Sequence, residues 1–133
     1  MPILSVQLST PPSPKQSAAV ATLLSRLTAE ILHKKPEVTS IAITHVDPVH
    51  WFVGGRSLSV QEKTSFFLDV RITDETNTAS EKALYIAEVF AQMAALLGDL
   101  HHESYIHVHD VRAAAYGYGG LTQQYRAIAA QLR

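Results

Sequence analysis

The chain contains no cysteine. That excludes a disulfide framework, a thiolate zinc site and a thiol nucleophile, and it fits a reducing compartment. It also lacks an excess of either charge: 11 Lys and Arg stand against 12 Asp and Glu, a formal net charge of −1. No block of like charge marks a nucleic-acid stripe or a membrane-binding face, so neither partner is expected. Long apolar runs are missing as well. No segment reaches the length needed to cross a bilayer, and the N-terminus has neither the basic region nor the apolar run of a signal peptide. The cytoplasm is therefore the expected compartment, and 133 residues suit one domain with a real hydrophobic core.

What the chain does have is a repetition. ITHVDPVHWFVGG (Ile43 to Gly55) is echoed by VHDVRAAAYGYGG (Val108 to Gly120), and the two Gly-Gly pairs lie 65 residues apart. Upstream of each lies a helical stripe at 3–4 residue steps: Val20, Leu23, Leu24, Leu27 and Ile31, then Ile86, Val89, Phe90, Met93 and Leu97. The two stripes align with a shift of 66. Pro14 suits the first helix start, Thr78 or Ser80 the cap of the second, and Pro36 and Gly98 the two stops. Before each helix runs an alternating strand, Leu4-Val6-Leu8 and Leu68-Val70-Ile72, and after each runs another, around Thr39–Val46 and Ser104–Val111.

Strand, helix, strand, twice over, reads as two βαβ units. The expected class is α+β, with two tandem units forming a four-stranded mixed sheet and both helices on one face. The chain is then a single domain, 1–133, with a first unit over 1–55, a connector over 56–64, a second unit over 65–120 and a C-terminal tail over 121–133. Each Gly-Gly closes a turn into a short hairpin or edge strand. The uncovered sheet face, carrying residues such as Phe67, is expected to be too apolar to stay wet and to pack against other subunits in a closed oligomer.

The opening MPILSVQLS poses a separate question, because proline has no N–H to give a sheet. Pro2 reads either as a tolerated first strand residue or as an N-terminal secondary amine exposed by removal of Met1. Together with the βαβ units and the closing aromatic-x-x-Gly-Gly, it resembles the tautomerase superfamily. The short members are similar to 4-oxalocrotonate tautomerase, and longer members carry two fused βαβ units. HVDPVHWFVGG resembles the end of the short enzymes, and YIHVHDVRAAAYGYG (Tyr105 to Gly119) the second-half strand of macrophage migration inhibitory factor. The resemblance implies a homotrimer and an N-terminal proline acting as general base, or as general acid in some branches.

The chemistry of such a proline also follows from physical argument. An N-terminal amine titrates near 8, and burial disfavours its cation and lowers that value toward neutrality. A base poised there suits proton abstraction beside a carbonyl. The ring and the strand leave the nitrogen little rotational freedom, so its lone pair can be aimed. The residue in register with Pro2 in the second copy is expected to be Leu68, inside the chain, which allows at most one such site per chain.

Groups that hold the substrate are harder to place. Where the short enzymes carry two arginines, this chain has Pro12 and Ser40, and where the dehalogenase branch has its pair stand Asp74 and Asn77. By resemblance Lys35 could meet a substrate carboxylate, Trp51 wall the pocket, and Tyr105 and His107 enter a neighbouring subunit's pocket. Each has an ordinary alternative: an exposed lysine after a helix, a packed tryptophan, polar strand residues. Alternation puts Tyr105, His107 and His109 on one strand face, while His45 and His50 have weaker claims. His107-x-His109 has metal-ligand spacing, but no third ligand is evident, so neither a metal nor a cofactor is expected. Two classes of function remain. One is a Pro2-dependent keto–enol tautomerase of a small 2-oxo or enol acid, with hydratase, dehalogenase and decarboxylase as sister activities. The other is a non-catalytic oligomeric binding or signalling protein of the same fold.

Overall fold

A computed structural model describes residues 2–132. The first half runs β1 (Ile3–Leu8), α1 (Pro14–Leu32), β2 (Ser40–His45), a hairpin of β3 (Phe52–Val53) and β4 (Arg56–Ser57), and the short helix α2 (Leu58–Gln61). The second half repeats the order: β5 (Phe66–Thr73), α3 (Ala79–Leu97), β6 (Tyr105–Val111), a hairpin of β7 (Gly117–Tyr118) and β8 (Leu121–Thr122), and α4 (Gln123–Gln131). The expected connector thus contains β4 and α2, and the residues beyond Gly120 contain β8 and α4.

Local chemistry accounts for the element ends. Ser13 caps α1 by accepting from the Gln16 N–H, and Pro14 opens its first turn. Thr78 and Glu81 form a reciprocal capping box on α3. Both hairpins turn on Gly-Gly pairs with positive φ, 63° and 78° in the first and 62° and 82° in the second. Two consecutive residues in that region make the tight turn that matches strand twist.

The sheet order is β2-β1-β5-β6, with β1 and β2 parallel, β5 and β6 parallel, and β1 antiparallel to β5. This is the α+β arrangement the sequence implies. Leu4, Val6 and Leu8 of β1 and Phe66, Leu68, Val70 and Ile72 of β5 form one cluster with Val20, Leu24 and Leu27 of α1 and Val89 and Met93 of α3. Fully burying each such side chain stabilises the fold by roughly 1.5–3 kcal/mol.

The internal symmetry differs in two details from the sequence reading. The helices superpose with a shift of 65, pairing Val20 with Tyr85, Leu24 with Val89 and Thr28 with Met93; Tyr85 is fully buried, and Ile86, taken for a core residue, is 39% exposed. Tyr85 can turn inward because its hydroxyl lies 2.9 Å from the buried Thr28 hydroxyl on the facing helix. In the first strands the shift is 64. Ile3 pairs with Ser40 and Phe67 with Tyr105, each at the start of its partner strand. Phe66, not Leu68, is therefore the counterpart of Pro2.

The open sheet face is also more polar than expected. Ser5, Gln7, Ala42, Thr44, Arg71, His107 and His109 are exposed there, with Ile3 and Tyr105 as its exposed large apolar side chains. Period-two alternation correctly separates the two faces, but the outward set is mostly hydroxyl, amide, imidazole and charged groups.

Candidate functional site

Pro2 sits on the inward-facing side of β1, two residues before Leu4, and is buried. Its carbonyl accepts the Ser40 N–H at 3.1 Å, so the β1–β2 ladder extends to it. Proline costs nothing at the entry of a strand, where its missing N–H leaves no ladder bond unmade. Pro2 and Ile3 border a cavity of about 510 Å³. One wall is the segment Glu37 to Ser40, from the 3-10 turn Pro36–Val38 into β2; the other is Tyr116, Gly117 and Tyr118 at the β7 hairpin, with Gln123 at the start of α4.

The second-half wall reaches Pro2 because β5 runs antiparallel to β1, which brings the end of β5 beside the start of β1. Tyr116 is anchored there, its hydroxyl donating to the Arg71 carbonyl at 3.1 Å. Burial is the main cause that raises its pKa above the ordinary tyrosine value, so it stays a neutral wall at physiological pH. Tyr118 is held from behind by Arg126, whose guanidinium lies 4.0 Å from the ring centroid and donates to the Tyr118 carbonyl at 3.0 Å. Gln123 donates its backbone N–H to the Tyr116 carbonyl at 2.7 Å. Glu37 is the one charged residue in the lining, among the described residues, and no Lys or Arg joins it.

The other sequence candidates lie elsewhere in the chain. Lys35 is exposed and precedes the 3-10 turn, its carbonyl accepting from the Thr39 hydroxyl at 2.8 Å. Trp51 and Tyr105 come together in a second cavity of about 440 Å³, with Phe52 and Glu103. The shift of 65 relates this cavity to the first, placing Trp51 on Tyr116 and Tyr105 on Ser40. The Tyr105 hydroxyl donates to the Glu103 carboxylate at 2.7 Å, and that bond, with the carboxylate charge, raises its pKa. His107 stacks on His109 on the open face, ring centroids 5.4 Å apart. Within one chain, Pro2 is joined by none of these four. His45 is engaged with the Thr10 carbonyl, Nδ1 to oxygen 2.9 Å. Among the described residues no group of three His, Asp or Glu side chains is placed to hold a metal ion.

Sequence reasoning missed Tyr116, Tyr118 and Gln123 as neighbours of Pro2. A signal existed for Tyr116, which the repeat aligns with Trp51. Gln123 carried none, lying in a stretch read as a tail. Retention or removal of Met1 falls outside the described residues.

Among known proteins, residues 2–61 match the family model described as "Tautomerase enzyme". No curated protein matches the chain. Of solved structures, a fused 4-OT in an asymmetric trimer superposes with a TM-score of 0.80 at 18% identity, covering 93% of this chain and 98% of that one. A malonate semialdehyde decarboxylase inhibited by 3-bromopropiolate superposes at 0.72 with 16% identity, covering 96% of each chain. A macrophage migration inhibitory factor homologue from Prochlorococcus marinus superposes at 0.73 with 20% identity, covering 90% of this chain and 97% of that one.

Proposed function

We propose that this chain is a member of the tautomerase superfamily, whose family model matches residues 2–61, and that it interconverts the keto and enol forms of a small 2-oxo acid, with Pro2 as general base after removal of Met1. The observation that carries the reading is the buried Pro2 beside a walled cavity. In the forward step the Pro2 nitrogen takes a proton from C3. The C–H electron pair becomes the C2=C3 π bond, and the carbonyl π pair moves onto oxygen. The protonated Pro2 gives that proton up to the oxygen, which forms the enol and restores the neutral amine, and the reverse sequence returns the ketone. Ile3, Val38, Tyr116 and Tyr118 keep the site apolar, which favours the neutral, basic form of the amine.

The similarity to trimeric fused enzymes supports a homotrimer. In it, Tyr105 and His107 are proposed to reach a neighbouring pocket, which fits their absence from the Pro2 cavity of their own chain. Lys35 and Trp51 keep the supporting roles that the resemblance implies. No helix among the described residues is long and apolar enough to cross a membrane. The absence of Lys and Arg from the cavity lining, among the described residues, favours a second reading, a non-catalytic binding protein.

Exchange of C3 protons of 2-oxohexanoate in D2O, followed by proton NMR, separates the two. Intact mass should show the loss of Met1. The enzyme should accelerate exchange, and Pro2→Ala, which keeps an amine but loses the ring, should slow it by roughly 10–1000-fold. Equal rates for the two proteins would return Pro2 to a structural role.

A further inference from the structure

Gln123 is the least expected residue in the Pro2 cavity. It is 7% exposed, and its side-chain Nε2 is buried without a hydrogen-bond partner among the described residues. An unpaired buried amide donor is destabilising. The fold does not require one there, because the internal repeat supplies its own control: the counterpart of Gln123 at the start of α2 is Leu58, which is fully buried. An aliphatic side chain fills the equivalent place in the first unit. The amide in the second unit therefore answers to something other than packing.

Its surroundings indicate what. Gln123 opens a helix of nine residues, capped by Thr122 accepting from the Tyr125 N–H, and the positive end of the helix dipole lies at that first turn. Arg126, three residues on, holds its guanidinium against Tyr118, with a buried Nε that is also unpaired. Gln123 and the helix N-terminus thus stand on the α4 side of the cavity, with Arg126 behind Tyr118 and outside the lining, while Glu37 stands on the β2 side.

We infer that Gln123 is the positioning and specificity residue of the Pro2 cavity: its amide, buried and unpaired among the described residues, turns into the cavity and donates an N–H to the carboxylate of a 2-oxo monoacid, in place of the arginines found in related enzymes. The inference rests on the reading of this cavity as the substrate site. A second carboxylate on the substrate would approach Glu37, so the cavity takes monoacids in preference to diacids. One neutral amide and a helix end suffice for one carboxylate and not for two.

The test compares 2-oxohexanoate with 2-oxohexanedioate, which differ by one carboxylate, on wild type, Gln123→Leu and Gln123→Glu. Binding is followed by calorimetry and by the Gln123 side-chain amide NMR signals, and C3 exchange by deuterium uptake. In wild type the amide signals should move with 2-oxohexanoate, and the diacid should bind more weakly. Gln123→Leu should keep or raise Tm, as Leu58 does the same packing, yet weaken monoacid binding about 10–100-fold, the range for a lost hydrogen bond to a charged group. Gln123→Glu should weaken it further. A purely structural glutamine would instead lower Tm and leave affinity intact. Unchanged affinity in Gln123→Leu, unmoved amide signals at saturation, or no binding of either acid at millimolar concentration each overturn the inference. Binding that depends on Gln123 without any C3 exchange would sink the Pro2 reaction while sustaining the role of Gln123.

Discussion

Replacing Tyr85 by Phe probes the buried seam between α1 and α3, and its effect should change with pH. At neutral pH the substitution removes the bond to Thr28 and leaves that hydroxyl in the core. An unsatisfied buried hydroxyl costs about 1–3 kcal/mol, but Thr28 can turn to a carbonyl in the preceding helical turn, so the net loss should be about 1 kcal/mol. Burial acts in the opposite direction at high pH. It pushes the Tyr85 hydroxyl from 10.0 up to about 12, with the Thr28 bond as the smaller, opposing influence. Above pH 10 the unfolded chain releases this proton while the folded chain retains it. The stabilising contribution is therefore complete below the unfolded value and is lost as pH rises through the folded one. The full difference corresponds to roughly 3 kcal/mol, and about half of it should be gone at about pH 11. Wild type should then be the more stable protein at pH 8 and equal to or less stable than Tyr85→Phe at pH 11. Urea unfolding of both proteins across this range measures the difference and cancels every other titrating group. A constant gap from pH 8 to pH 11 would refute the assignment of Tyr85 as a buried, proton-retaining phenol.

Thr78→Ala should cost about 1 kcal/mol in urea unfolding through loss of the α3 cap. Because the Thr78 N–H holds the Glu81 carboxyl below its ordinary pKa, that part of the stability is present above pH 4.5 and lost as pH falls through the lower folded value; wild type should lose more stability on acidification than Glu81→Gln. At Gly117 an added Cβ would run into the Leu121 carbonyl, so Gly117→Ala should open the β7–β8 hairpin, displace Tyr116 and Tyr118, and weaken 2-oxohexanoate binding at least as much as Gln123→Leu, as read by calorimetry. Light scattering at micromolar concentration should give the mass of three chains, and a monomer would remove the basis for Tyr105 and His107 entering a neighbour's pocket.

The fold was legible in the sequence because its signals are local. Alternation in Leu4-Val6-Leu8 and the 3–4 spacing of Val20, Leu24 and Leu27 reflect periods set by backbone geometry within a few residues. The Gly-Gly turns and the Thr78 cap depend on φ preferences and hydrogen bonds within one turn. The repetition of these signals revealed two units, and Pro2 stood out by its position alone. The relation between the units was not legible, since it depends on pairings across many residues. The antiparallel register of β1 and β5, with Ser5 opposite Asp69, sets the two units head to tail. That places the hairpin of the second unit over the first strand of the other, so Tyr116 and Gln123 meet Pro2 while Trp51 meets Tyr105 at the far end. It also lets α1 and α3 cross where Tyr85 finds Thr28, a partner 57 residues away. The periodicity of a single helix shows which side chains share a face. Whether a polar group on that face is buried depends on a partner that only the tertiary structure supplies.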